Sequence, residues 1–170
     1  MESIRLLKAN VQDAEAIHKL TIKSFKHYSE RILKDGELEA LSETLVDVLN
    51  DIKEKYVIKC LMDEKLVGSV RFAVLDDNIA YLTRFGIDPD IQSLGLGSLL
   101  LEKAQQECIN LGVKAITLYT ASKMTSSVAF YLKHGYYIHS ITRDKGYIRA
   151  FLVNELVPMD EMYDYESIVK

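Results

Sequence analysis

The 170-residue chain has no tryptophan, two prolines, two cysteines and no long apolar run. Each shortage removes a class of protein. No stretch approaches the roughly 18–20 consecutive apolar residues that a bilayer span requires, so a membrane-spanning helix is not expected. The opening Met1-Glu-Ser-Ile-Arg-Leu-Leu7 lacks the apolar core of a signal peptide, and a soluble cytoplasmic protein is the default expectation. Cys60 and Cys108 lie far apart, neither in a Cys-x-x-Cys pair, and both sit in apolar patterns; they read as buried thiols. No metal-ligand spacing occurs among the histidines and cysteines, so no metal is expected. With Pro89 and Pro158 as the only prolines and no low-complexity tract, no linker divides the chain.

What is present is ordinary in bulk: 48% hydrophobic and 27% charged residues, a globular composition. The net charge of −4 argues against a non-specific nucleic-acid partner. Any site for a multiply anionic ligand must then be local, made from backbone amides and a few basic side chains.

Periodicity gives the order β-α-α-β-β-β-α-β-α-β-β. Ile4 to Leu7 reads as a strand. A helix capped by Asn10, with Asp13 in its first turn, runs to about Tyr28, and Ser29 to Gly36 reads as a polar loop. Leu38, Leu41, Leu45, Val48, Leu49 and Ile52 mark a second amphipathic helix. Tyr56–Met62 and Leu66–Val74 form a hairpin, and Ile79–Ile87 follows a turn at Asp76-Asp-Asn78. A helix from Leu96 stops at Gly112, Ala115–Thr120 is a buried strand, and Thr125–His134 is a helix ending at Gly135. Tyr136–Thr142 and Tyr147–Leu156 close as a hairpin. The expected fold is α/β: a mixed, mostly antiparallel sheet of about seven strands with helices on both faces. One domain is expected over residues 1–158, followed by an acidic tail over 159–170 whose role the sequence does not show.

The chemistry-bearing stretch is Gln92-Ser-Leu-Gly-Leu-Gly-Ser98, between the strand end Phe85-Gly-Ile-Asp-Pro89 and the helix pattern from Leu99. Two glycines one residue apart free the backbone to turn its amides, and a helix start carries unpaired N–H groups that suit a phosphate. A Walker loop fails because Ser98 and Leu99, not Lys and Ser/Thr, follow Gly97. A dinucleotide fingerprint fails at Leu100, where a third glycine or alanine belongs. A helix start without ligand is the remaining alternative.

Gln92-x-x-Gly95-x-Gly97 after Phe85-Gly-Ile-Asp-Pro89 resembles the acyl-CoA signature of the GNAT superfamily of N-acetyltransferases, and Tyr131 with Gly135-Tyr136 resembles that family's later motif. The likeness runs from about Ile4 to Leu156. It implies that Gln92, Ser93, Leu94, Gly95, Leu96, Gly97 and Ser98 cradle the pyrophosphate of acetyl-CoA. It also implies that Phe85, Gly86 and Ile87 run beside the pantetheine arm on a strand splayed from its neighbour, with Gly86 at a bulge. A backbone amide near Phe85 or Ile87 would polarise the thioester carbonyl. The later motif often has asparagine seven residues before the tyrosine; here Met124 stands there, and Thr125, Ser126 or Ser127 would contact the arm instead.

The resemblance makes Tyr131 the acid for the departing thiolate, since a phenol with a pKa of about 10 is protonated at neutral pH; alone, a helical tyrosine beside Phe130 and Leu132 reads as packing. No carboxylate lies on the strand between Asn78 and Ile87. Tyr81, Thr83 and Phe85 share one face by alternation and could hold a relaying water. Glu30, in the loop after the first helix, is a candidate base, with a solvated surface charge as its alternative. No cysteine sits where an acyl-enzyme nucleophile belongs, which favours direct transfer in a ternary complex. The implied activity is transfer of acetyl from acetyl-CoA to a primary amine, on a small molecule or a protein, and the acidic chain mildly favours a cationic acceptor. A homodimer is possible. A non-catalytic acyl-CoA-binding module is the rival expectation.

Overall fold

The computed structural model describes residues 2–33, 38–91 and 94–170. Seven strands, β1 (Ile4–Lys8), β2 (Tyr56–Met62), β3 (Lys65–Val74), β4 (Ile79–Ile87), β5 (Ala115–Ala121), β6 (Tyr137–Thr142) and β7 (Arg149–Glu155), hydrogen-bond in the order β1-β2-β3-β4-β5-β7-β6. The helices are α1 (Ala14–Ile32), α2 (Leu45–Glu54), α3 (Leu96–Asn110), α4 (Thr125–Lys133) and α5 (Tyr165–Val169). The mixed α/β class and the strand count agree with the sequence. Among the described residues no helix is long and apolar enough to cross a membrane.

The chain forms two compact units, Met1–Phe72 with Arg84–Ala104, and Ala73–Thr83 with Gln105–Lys170. In the first, β1 and β2 pair antiparallel from Ile4–Met62 to Lys8–Ile58, and β2 continues against β3 with a register shift at Cys60/Leu61. Ala9, Ala14, Ile17, Val48, Ile52 and Val57 form its core, with Leu49 and Leu66 packed against it. Val48 and Ile52, one helical turn apart, put one face of α2 into that core. Thr44 starts α2 with a reciprocal box: Asp47 N–H donates to Thr44 Oγ1, and Thr44 N–H donates to Asp47 Oδ2 at 2.8 Å.

In the second unit β5 and β7 pair antiparallel throughout, and β6 pairs with β7. β4 pairs parallel with β5 over Ile79–Ala115, Ala80–Ile116 and Tyr81–Thr117. Ile79, Ala115, Phe151, Val153 and Tyr165 make the core. Residues 159–170 pack on this core: α5 buries Tyr165, whose hydroxyl donates to Glu155 Oε1, and Met159, Tyr163, Ile168 and Val169 lie against the same cluster.

Two helix boundaries differ from the sequence reading. α1 does not end at Tyr28 but continues to Ile32, with Leu33 N–H closing on Ser29 O at 2.9 Å. Polar residues alone do not stop a helix, and no proline or glycine intervenes before Gly36. Lys34, Asp35 and Gly36 of the expected loop lie outside the described residues. The helix expected from Leu38 is instead a 3-10 turn, Glu39–Ser42, and only then α2. The break falls where Thr44 takes its backbone out of the helical region to cap α2.

Candidate functional site

In the first unit, β4 ends in Arg84-Phe-Gly-Ile87, and the chain turns through Asp88-Pro-Asp90 towards α3. Asp88 N–H continues the ladder to Val67 O at 2.8 Å. The Asp88 carboxylate, only 6% exposed, accepts from Asp90 N–H at 3.0 Å and from Lys23 Nζ at 2.7 Å, while Lys23 also reaches Asp90 at 2.6 Å. Burial pushes the Asp88 pKa up, but these donors outweigh it and hold it below the ordinary aspartate value. Lys23 thus staples α1 to the corner that precedes the glycine segment.

Gly95 has φ +71, and a Cβ built there meets nothing within 4 Å. The glycine is required by the left-handed backbone, not by crowding. Leu99 N–H to Gly95 O, at 3.1 Å, is the helical bond closing that first turn. The amides of Leu96, Gly97 and Ser98 therefore belong to the turn that an α-helix leaves without intrahelical partners. Leu96 is buried and anchors the turn, Gly97 and Ser98 are half-buried, and Leu94 is exposed. Gln92 and Ser93 lie outside the described residues.

Phe85, Gly86 and Ile87 are half-buried on β4. The positive φ in this strand belongs to Arg84 (φ +53), not to Gly86. The irregularity expected at Gly86 is thus two residues earlier, and a left-handed residue there interrupts the strict alternation that put Tyr81, Thr83 and Phe85 on one face. Gly86 is glycine for another reason. A Cβ on it would lie 2.6 Å from Ser24 Oγ and 3.8 Å from Phe25 Cε2, so α1 rests directly on the strand. Ile87 Cδ1 occupies the space a Cβ would take on Gly68 of β3.

The same unit holds a buried charge network that sequence reasoning missed. Arg71, fully buried on β3, grips both carboxylate oxygens of Glu43, Nη1 on Oε1 and Nη2 on Oε2 at 2.9 Å. Its Nη1 also reaches Asp51 Oδ2 at 2.9 Å, and Nη2 reaches Thr21 Oγ1 at 3.3 Å. Burial opposes the charge, yet Glu43 and Asp51 prevail and the guanidinium pKa is raised. Arg84 Nε donates to Glu43 Oε1 at 3.3 Å. One signal was readable: a lone arginine inside the apolar run Leu66–Val74 requires a buried partner.

In the second unit, Tyr131 is 7% exposed near the end of α4 and stacks edge-on with Phe130 and Tyr136, ring centroids 5.3 and 5.5 Å away. The spacing Tyr131, Gly135, Tyr136 has a local cause. Tyr136 N–H donates to Tyr131 O at 3.2 Å and Gly135 N–H to Leu132 O at 3.3 Å, with Gly135 at φ +93: a Schellman stop in which the two tyrosines make the accompanying apolar contact. Burial pushes the Tyr136 phenol well above the usual value, with Tyr131 and Cys108 adding to it. Met124 caps α4 without a side-chain hydrogen bond, and Ser126 is exposed in its first turn. Glu30 is exposed and lies on α1 rather than in a loop. His18 Nε2 bonds Glu43 O, and His134 Nδ1 bonds Phe130 O, both at 2.8 Å. Both cysteines are buried, and burial, then Glu107, pushes the Cys108 thiol up to about 12.

A family model described as the acetyltransferase (GNAT) family matches residues 15–136. Among curated proteins, the uncharacterized protein YxbD of Bacillus subtilis (strain 168) is 32% identical over 74 residues, 44% of this chain and 45% of that protein. A mycothiol acetyltransferase of Geodermatophilus obscurus is 36% identical over 56 residues, 33% of this chain and 18% of that protein. The match thus spans less than half the length of either relative. Among solved structures, a PaiA N-acetyltransferase from Thermoplasma acidophilum in complex with coenzyme A is 19% identical and covers 90% of this chain and 99% of its own, with TM-score 0.77. A ribosomal-protein-S18-alanine N-acetyltransferase from Escherichia coli is 18% identical, covers 97% of this chain and 100% of its own, and has TM-score 0.71. At these identities the structural likeness speaks for the fold alone.

Proposed function

The chain belongs to the GNAT family of acetyltransferases, and from that premise we propose that it moves an acetyl group from acetyl-CoA to a primary amine by direct attack. The observation that carries the reading is the left-handed Gly95 at the start of α3, which puts the amides of Leu96, Gly97 and Ser98 in the first helical turn. Backbone N–H groups at a helix start, aided by its dipole, receive a diphosphate without basic side chains. That suits a chain of net charge −4. Gln92 and Ser93 would complete the cradle.

Phe85, Gly86 and Ile87 would hold the pantetheine arm through main-chain groups. An amide near Phe85 or Ile87 would stabilise the oxyanion as the amine nitrogen bonds to the acetyl carbon. Tyr131 would donate its proton to the sulfur as the carbon–sulfur bond breaks, and the amine's surplus proton leaves to solvent or a base. Ser126 would contact the arm. Glu30 is a candidate for that base through intervening water; its exposure on α1 fits a proton acceptor no better than a surface charge.

Calorimetry with coenzyme A, and thiol release from acetyl-CoA with a panel of amines, test the proposal together. Micromolar binding and amine-dependent thiol release are expected. A second reading, an acyl-CoA-binding module without turnover, is favoured by one observation: β4 carries no carboxylate between Ile79 and Ile87. Tight binding with no amine-stimulated release across the panel would establish it.

A further inference from the structure

The charge network of the first unit says something about the acceptor, on the premise of the acetyltransferase reading. Glu43 is immobilised at both ends. Its carboxylate is 5% exposed and held by the Arg71 fork, and its main-chain oxygen accepts from His18 Nε2. Arg84 is fastened to that fixed carboxylate through Nε alone. A guanidinium has five N–H donors in a rigid fork. Among the described residues the Nη groups of Arg84 meet no protein acceptor, while its side chain keeps 22% of its surface exposed. Asp47, the other carboxylate that feels Arg84, has Oδ2 engaged by the Thr44 N–H and hydroxyl.

Arg84 is also the strained residue of β4. A long side chain at φ +53 is uncommon, and such conformations persist where the surroundings impose them. The left-handed turn sits immediately before Phe85-Gly-Ile87, the stretch proposed to hold the thioester. An arginine anchored at Nε by an immovable anion presents its remaining face as a preset receptor for a planar anion.

We propose that Arg84 receives a carboxylate of the acceptor, so that the acceptor is an amino acid rather than a simple amine or a polyamine. The carboxylate docks on the two Nη groups, and the amino group of the same molecule attacks the thioester. A cationic acceptor, the mild expectation from net charge, would meet a fixed guanidinium here.

Thiol release from acetyl-CoA is measured with matched acceptors: amino acids, their C-terminal amides and the corresponding decarboxylated amines. The acids are expected to exceed both partners by about tenfold or more in kcat/KM, the scale of a charge-assisted bidentate contact. Arg84→Gln should remove that preference by raising KM for the acid while the Kd for coenzyme A stays within twofold. Arg84→Gly, which suits the left-handed backbone, should do the same and guards against misfolding of the first variant. Arg84→Lys should restore part of the preference. Use of the amides and decarboxylated amines as efficient as that of the acids, or a preference that survives both Arg84→Gln and Arg84→Gly, overturns the proposal. Amine turnover with bound coenzyme A but no carboxylate preference removes this inference alone; failure to bind coenzyme A removes the acetyltransferase reading and the inference with it.

Discussion

Gly86 and Ser24 are packed so closely that a Cβ on Gly86 would stand 2.6 Å from Ser24 Oγ, and the hydroxyl must shift to admit it. The contact fixes the height of α1 above the end of β4, where the thioester is proposed to lie. Gly86→Ala should therefore cost about 1–3 kcal/mol, as overpacking does. Ser24→Ala in the same chain removes the oxygen and leaves Cβ at 3.3 Å, so it should restore part of the loss. Urea denaturation of the two single variants and the double variant checks this; strict additivity would mean that the contact is not what Gly86 serves.

Arg71 is the fully buried cation on which Glu43 and Asp51 both depend. Arg71→Met keeps the bulk but leaves the 5% exposed Glu43 carboxylate with only the Arg84 Nε contact and Asp51 with only Lys55, which should cost about 3–5 kcal/mol. Adding Glu43→Gln to Arg71→Met should recover a measurable part, because the under-compensated buried charge is then gone. Chemical denaturation of both variants reads the difference.

The phosphate cradle and the proton donor separate cleanly in variants. Gly97→Asp places a carboxylate in the turn proposed for the diphosphate and should abolish coenzyme A binding by calorimetry. Tyr131→Phe should lower kcat by about 10²-fold, the usual scale of general acid catalysis, while the Kd for coenzyme A barely moves. Unchanged turnover in Tyr131→Phe would leave that residue as the apolar half of the Schellman stop.

Asp88 ties stability to acid. Its folded pKa lies below the ordinary aspartate value of 3.8, despite burial, because Lys23 and the Asp90 N–H favour the charged form. A depressed carboxylate contributes stability that is complete above the unfolded value and is lost as pH falls through the folded one. The wild type should therefore lose stability below about pH 4. Asp88→Asn should flatten that part of the profile and be less stable than the wild type at pH 7. Melting temperatures from pH 7 down to pH 2.5 test both statements.

Local signals explain what was legible in the chain. Alternation and turn residues placed all seven strands, because each strand's burial is written in its own neighbours. Gly95 and the order of elements around it were readable for the same reason. Arg84 was not: nothing about an arginine in an apolar strand announces φ +53. The Glu43–Arg71 pair spans 28 positions, so no window of sequence contains it. Thr44-x-x-Asp47 could have shown the start of α2, but the apolar series from Leu38 masks it. Tyr165 escaped because two tyrosines two residues apart among acidic residues carry no helical period.

That last tyrosine has a practical side. Its ring shares one cluster with Phe151 and Ile79, so the core of the second unit is complete only when α5 docks. Removing residues 159–170 would uncover that core and leave the sheet of the second unit unsealed.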